Sequence, residues 1–258
     1  MTPGVAVTKM HGARNDFVVV DARATQLTDV RSFARRVCDR HEGIGADGLL
    51  LIGTSSVADV SMRVINSDGS EAEICGNGIR CVARYLDEAS ARETFAIETL
   101  GGVVDAQIVE RGGTYLVCVR VPQPHLVAAP PHLSDATAVV VGNPHVVIFT
   151  SPLDEIDLVA LGEGLQHDPL YPEGVNVHVA RIADRRALEA RHYERGAGLT
   201  MACGTGCVAI AVAAHARGAV DYPVRVRVPG GDLVIDVDDR ERYFMTGPAM
   251  RVFETVFV

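Results

Sequence analysis

Met201-Ala-Cys-Gly-Thr-Gly-Cys-Val-Ala-Ile-Ala-Val-Ala-Ala-His215 decides how the chain is read. A cysteine and two glycines stand directly before an apolar run. From Cys207 to Ala214 that run has no polar face, which predicts a helix buried on all sides. Arg217 and Gly218 supply the cation of a last turn and a left-handed cap. A buried helix start leaves N–H groups that need an acceptor. A carboxylate or phosphate suits them, because amides and helix dipole point the same way. Cys203 would stand beside that anion, in surroundings expected to lower a thiol pKa.

The chain carries the device twice. Ile74-Cys-Gly-Asn-Gly-Ile-Arg-Cys-Val-Ala83 is again Cys-Gly-X-Gly opening a helix. Cys75 and Cys203 are 128 positions apart (203 − 75) in 258 residues. The same offset places Asn143 on Asn15, Asn176 on Gly48 and Glu194 on Asn66, and brings Gly230-Gly231 within a residue of Gly101-Gly102. Several matches at one offset predict two homologous halves, each supplying one cysteine at a helix start.

Composition sets the outer bounds. A net charge of −9 argues against a nucleic-acid partner. No run of 18 apolar residues suggests a membrane span, and no basic-then-apolar leader suggests secretion. The cysteines (Cys38, Cys75, Cys81, Cys118, Cys203, Cys207) are too sparse for a disulfide scaffold. Reduced thiols and a cytoplasmic location are expected.

Along the first half, strands are predicted at Val5–Val7 and Phe17–Asp21, with a polar loop from Met10 to Asp16. Thr28 reads as the N-cap of an amphipathic helix carrying Val30, Phe33, Ala34, Val37 and Cys38. Gly43-Ile-Gly-Ala-Asp-Gly48 leads into strand Leu49–Ile52, and Val60–Ile65 ends at Asn66. Val121 to Ser134 holds Pro122, Pro124, Pro130 and Pro131 without periodicity and reads as a linker. The second half repeats the order, with a helix after Asp157 and Glu194 to Gly198 leading to the second buried helix. The expected fold is α+β: two pseudo-symmetric domains, each a curled, barrel-like sheet around one central helix. The expected domains are 1–121 plus 248–258, carrying Cys75, and 122–247, carrying Cys203, with the active site in the cleft between them.

Lone cysteines are ordinarily core fillers, and Cys81 and Cys207 read that way. Cys75 and Cys203 differ because both precede Gly-X-Gly at a helix start. The spacings Cys-x5-Cys and Cys-x3-Cys fit no common zinc motif, so no metal is expected. His145 follows Asn143-Pro144 in a repeat-aligned loop and reads as an active-site wall; the other histidines have no such support. Glu194 and Arg195 precede Cys203 by nine and eight residues and are expected to reach the same pocket. Asn15, Asn66, Asn77, Asn143 and Asn176 read as neutral hydrogen-bonders lining it. One thiol on each side is not a nucleophile with its base. It suits two-base exchange at a stereocentre: one thiolate removes a Cα proton and the opposite thiol returns one. Helix amides would receive the charge flowing into the substrate carboxylate. Lys9 is the single lysine, so a Schiff-base mechanism would have to use it.

Assembled, these residues resemble the diaminopimelate epimerase family over nearly the whole chain. The carriers are Lys9-Met-His-Gly12, Asn15-Asp-Phe17, Asn66-Ser-Asp-Gly-Ser-Glu71, Cys75-Gly-Asn-Gly78 with Arg80-Cys81, Gly142-Asn-Pro-His145, Gly174-Val-Asn176, Glu194-Arg-Gly196 and Ala202-Cys-Gly-Thr-Gly206. The resemblance implies a cofactor-independent homodimer that interconverts LL- and meso-diaminopimelate in lysine and peptidoglycan-precursor synthesis. It implies Cys75 and Cys203 as acid and base, with Gly76, Asn77, Gly204 and Thr205 offering amides to the reacting carboxylate. Asn66, Asn176 and Arg195 would hold the distal amino-acid end. Glu194 would bind substrate ammonium and, with His145, tune the thiols; Asn15 and Asn143 complete the pocket. The chain departs from the family pattern at Ala13-Arg14, at Gly48 and at Phe253. Two alternatives are a racemase for another amino acid such as histidine, and a non-catalytic amino-acid-binding protein.

Overall fold

The computed structural model describes residues 4–258. The chain forms two compact units. One ends at Val119 and is completed by Gly247–Val258; the other is Arg120–Thr246.

The first unit runs β1 (Val5–Gly12), β2 (Asn15–Asp21), α1 (Val30–Cys38), β3 (Gly48–Gly53), β4 (Val60–Asn66), β5 (Glu71–Ala72), α2 (Gly76–Ser90), β6 (Thr94–Thr99), β7 (Gly102–Glu110) and β8 (Leu116–Arg120). The second runs β9 (His125–Val127), β10 (Ala136–Val141), β11 (Asn143–Phe149), α3 (Leu158–Leu165), β12 (Asn176–Asp184), β13 (Ala187–Glu194), β14 (Gly198–Thr200), α4 (Gly204–Ala216), β15 (Val224–Val228), β16 (Gly231–Val237) and β17 (Tyr243–Pro248). Strand β18 (Met250–Phe257) then returns to the first unit.

The pairings repeat step for step. In the first unit β1–β2 is antiparallel, β2–β3 parallel, β3–β4 antiparallel, β4–β6 parallel and β6–β7 antiparallel. In the second, β10–β11, β11–β12, β12–β13, β13–β15 and β15–β16 follow the same sequence of directions. An antiparallel strand adds to the first strand of each: β18 to β1, and β9 to β10. Each sheet curls around its helix, because α2 touches β1, β2, β3, β4, β6 and β7, and α4 touches β10 to β13, β15 and β16.

Strand alternation sorts the two faces. In β2, Val18 and Val20 join the cluster packed on α1, so Phe17 and Val19 point the opposite way. In β11 and β12, Val146, Val177 and Val179 pack with Leu158 and Leu165 of α3, which turns His145 and His178 to the other face. The predicted all-round burial of the second helix holds, with Cys207 through Ala214 all buried. In α2 the all-round enclosure runs from Asn77 to Ala83; beyond it only Leu86 and Asp87 are buried, and Glu88 to Ser90 are exposed.

Four local expectations are corrected. Met10 to Asp16 is a hairpin rather than a loop, with Gly12 opposite Asn15. Its turn residues Ala13 (φ 51°) and Arg14 (φ 63°) take the left-handed pair that twisted two-residue hairpins require. The cap of α1 is Asp29, whose carboxylate accepts from Ser32 N, not Thr28. The linker contains β9, and β14 intervenes before α4; both are three residues long and exist through their ladder partners. Arg14→Gly should relieve a side chain held at positive φ, less the added freedom of the unfolded chain. A gain of about 0.5–1 kcal/mol, or roughly 2 °C in Tm, is expected. A calorimetric scan showing a lower Tm would mean that the arginine makes a compensating contact.

Candidate active site

Cys75 is the N-cap of α2, half-buried, and its sulfur accepts from Gly78 N at 3.4 Å. A Cβ at Gly78 would lie 2.9 Å from Leu50 Cδ2, so the end of that leucine would have to shift. Asn15 Oδ1 accepts from Asn77 Nδ2 at 3.0 Å and lies 3.8 Å from the Cys75 sulfur. Behind them the fully buried Arg80 donates to Asn77 Oδ1 at 2.6 Å and to Pro248 O at 3.2 Å. Asn15 Nδ2 in turn donates to Asp47 at 2.8 Å, and Arg40 joins Asp47 to Asp16. Lys9 is buried, with its ammonium on Asp16 (2.6 Å) and on Gly45 O. The side chains around Cys75 are therefore fixed from behind by ion pairs that the sequence did not reveal. Asn66 ends β4 opposite Gly48 and donates to Ser70 Oγ at 2.9 Å. At Gly48 a Cβ would meet Ile65 O at 2.9 Å, so this backbone has no room for a longer residue without a shift.

Cys203 caps α4 and is almost fully buried, with Thr205 Oγ1 3.7 Å from its sulfur. The expectation of a lowered pKa is overturned. Burial pushes this thiol well above its ordinary range, and the Glu194 carboxylate, to which it is hydrogen-bonded, pushes it further. The helix start does favour a thiolate, but desolvation beside a negative charge outweighs it. The carboxylate accepts a hydrogen bond from the thiol and so favours the protonated form of Cys203. Glu194→Gln removes the charge, so the Cys203 pKa should fall. The pH midpoint of its alkylation by iodoacetamide should move to lower pH; an unchanged midpoint would mean that burial alone sets it. Cys81, buried in α2, is pushed up to about 12 by burial.

Asn176 is buried and doubly engaged, donating to Pro144 O and accepting Arg195 N, each at 3.1 Å. It fastens the loop of His145 to the segment of Glu194 and Arg195. The Arg195 guanidinium is exposed, with Nη1 on Glu173 O at 3.2 Å. Asn143 Oδ1 is buried without a hydrogen-bond partner. Gly76 and Gly204 occupy the first turns of α2 and α4.

Two functional candidates escaped the sequence reading. His178 lies 2.8 Å from His145 (Nε2 to Nδ1), and His192 lies 2.9 Å from His178 (Nδ1 to Nδ1). All three rings are buried. Burial holds His145 and His192 down to about 3 and His178 well below its ordinary value, so all three are neutral at pH 7. One nitrogen of His145, one of His178 and the Cys203 sulfur fall within 4.8 Å of one another. That is a set of metal-type donors, although the two imidazoles already share a proton.

Each half thus builds a central helix capped by a cysteine, inside a curled sheet that carries polar side chains to the helix start. This architecture defines a class of pseudo-symmetric α+β proteins that includes known epimerases. A phenazine biosynthesis protein of the PhzF family from Bacillus anthracis shares it, with a TM-score of 0.77 at 17% identity over 99% of both chains. A hydroxyproline epimerase from Agrobacterium vitis shares it as well, with a TM-score of 0.71 at 16% identity, over 99% of this chain and 91% of the other. Within that class, the diaminopimelate epimerase family model matches residues 7–125 and 137–252. A diaminopimelate epimerase of Rhizorhabdus wittichii is 45% identical over 95% of this chain and 92% of its own, and one of Desulfitobacterium hafniense is 38% identical over 98% of both. The chain belongs to the diaminopimelate epimerase family.

Proposed function

We propose that this protein interconverts LL- and meso-2,6-diaminopimelate by two-base proton exchange at one Cα, without a cofactor, in lysine and peptidoglycan-precursor synthesis. The observation that carries the reading is the duplicated cap: one cysteine at each central helix start, in halves built alike. One thiolate takes the Cα proton and the other thiol delivers a proton to the opposite face. The amides of Gly76, Asn77, Gly204 and Thr205 receive the charge that builds on the adjacent carboxylate. Asn15 and the unpartnered Asn143 Oδ1 offer polar wall, Glu194 a site for ammonium, and Asn66, Asn176 and Arg195 the distal end. Glu194 and His145 tune the thiols. The same reading carries a cytoplasmic homodimer; exposed Val252, Phe253 and Val256 on β18 give a second copy apolar surface to cover.

The test is Cα exchange in D2O followed by NMR, with LL-diaminopimelate, histidine and proline. Deuterium entering diaminopimelate far faster than the other two is expected. Faster exchange of histidine or proline would reassign the substrate, and no exchange of any would favour a binding protein.

A further inference from the structure

The three histidines form a line that ends on a second cysteine. His145 on β11 meets His178 on β12, His178 meets its cross-strand partner His192 on β13, and His192 Nε2 lies 3.7 Å from Cys207 Sγ in α4. His178 also packs on the helix start: a Cβ on Gly206 would lie 2.5 Å from its Cε1. At the near end, His145 Nε2 is buried without a hydrogen-bond partner.

The first half supplies the control. The repeat offset of 128 places Phe17, Leu50, Val64 and Ile79 on His145, His178, His192 and Cys207. The ladders agree: Phe17 pairs with Gly48 as His145 pairs with Asn176, and Leu50 pairs with Val64 as His178 pairs with His192. All four first-half residues are buried and apolar. The architecture therefore has no need of a polar line at these positions. Burying three imidazoles where three hydrocarbons suffice is unfavourable unless every proton is matched.

Matching is possible in only two ways. Each neutral imidazole carries one N–H, so adjacent rings must all donate in the same direction. If all donate towards Cys207, every N–H has an acceptor and only a lone pair on His145 Nε2 is left bare. If all donate towards His145, its Nε2–H is a buried orphan donor, the rarer and costlier state.

We propose that His178, His192 and Cys207 are positioning residues that lock His145 as the Nδ1–H tautomer, presenting an unprotonated Nε2 in the half that carries Cys203. His178 is then Nδ1–H and His192 Nε2–H. The lone pair is a fixed acceptor for a thiol or ammonium proton. The half carrying Cys75 has an apolar line instead, so the two thiols work in unlike surroundings.

The kinetic consequence rests on the diaminopimelate reading; the tautomer pattern does not. Long-range 1H–15N NMR of protein labelled in histidine reads the pattern directly. Between pH 5 and 8, all three rings should stay neutral, with Nδ1–H on His145 and His178 and Nε2–H on His192. A ring that titrates near its ordinary value of about 6.5, an averaged tautomer or the reverse order would overturn the proposal. His178→Leu with His192→Val installs the side chains of the other half and should fold. In that variant the His145 signal should average between tautomers, and kcat should fall at least about tenfold with KM changed less than about threefold. A folded variant with a fixed His145 tautomer, or with unchanged kcat on an active wild type, would also overturn it. Should the double variant not fold, Cys207→Ala, a small change inside α4, carries the same comparison. A wild type with the expected tautomers but no diaminopimelate exchange would sink the function and leave the locked imidazole standing.

Discussion

Cys203→Ala should lower kcat for epimerisation by about a hundredfold to ten-thousandfold, the range that a positioned acid or base contributes. The protein should keep its fold, because Cys203 makes no capping hydrogen bond with its side chain. The pattern of isotope exchange is more telling than the rate. On the proposed two-base mechanism, Cys75 then serves one side of the carbon only. It can remove and return a proton there, but cannot invert. In D2O the variant should therefore wash deuterium into only one of the two epimers, without interconverting them. Cys75→Ala should show the opposite choice. Exchange into both epimers, or continued interconversion, would mean that a single base serves both faces. Cys75→Ala needs the closer folding check, since the Cys75 sulfur does accept a helix N–H, and its removal carries a cap cost of about 1 kcal/mol.

Arg195→Lys should lower kcat/KM for diaminopimelate at least about tenfold, equivalent to about 1.4 kcal/mol. The backbone of Arg195 is fixed by Asn176 Oδ1. Gly174 at φ 79° makes room for its arm: a Cβ there would meet Arg195 Cγ and Cδ at 3.1 Å. Among the described residues the guanidinium is engaged through Nη1, on Glu173 O and 4.0 Å from the Glu173 carboxylate, which leaves its other nitrogens for a substrate carboxylate. Lysine keeps the charge and loses the planar fork. The loss should shrink for an amino acid without a distal carboxylate. Equal losses on both substrates would show that Arg195 supports the fold, and its assignment to the distal end would be withdrawn.

The helix of Cys207 to Ala214 was legible because no globular surface helix is apolar all round. The repeat was legible because Cys75 and Cys203, Asn15 and Asn143 hold one offset. What stayed hidden depends on partners distant in sequence. Strands β9 and β14 are too short to show alternation. The hairpin at Ala13-Arg14 lacks the glycine or asparagine that normally announces it. The Cys203 pKa was misread because a helix start is visible in sequence, whereas the burial and the facing Glu194 are not. His178 and His192 looked like unrelated histidines. One signal could have found them: at the repeat offset both fall on apolar residues, Leu50 and Val64, beside a third such case, His145 on Phe17.

The return of β18 fixes an order of completion during synthesis on the ribosome. Residues 120–246 form one uninterrupted unit, so that half has all its strands once they have emerged. The other half appears first but is completed last. Its β1 has β2 on one edge, but the other edge stays open until Val5 through His11 can pair with Met250 through Phe257, and Arg84 waits for the carbonyl of Ala249. A nascent chain therefore carries an open strand edge through most of its translation, and that edge is the point at which a trigger-type chaperone or a wrong strand would meet it first.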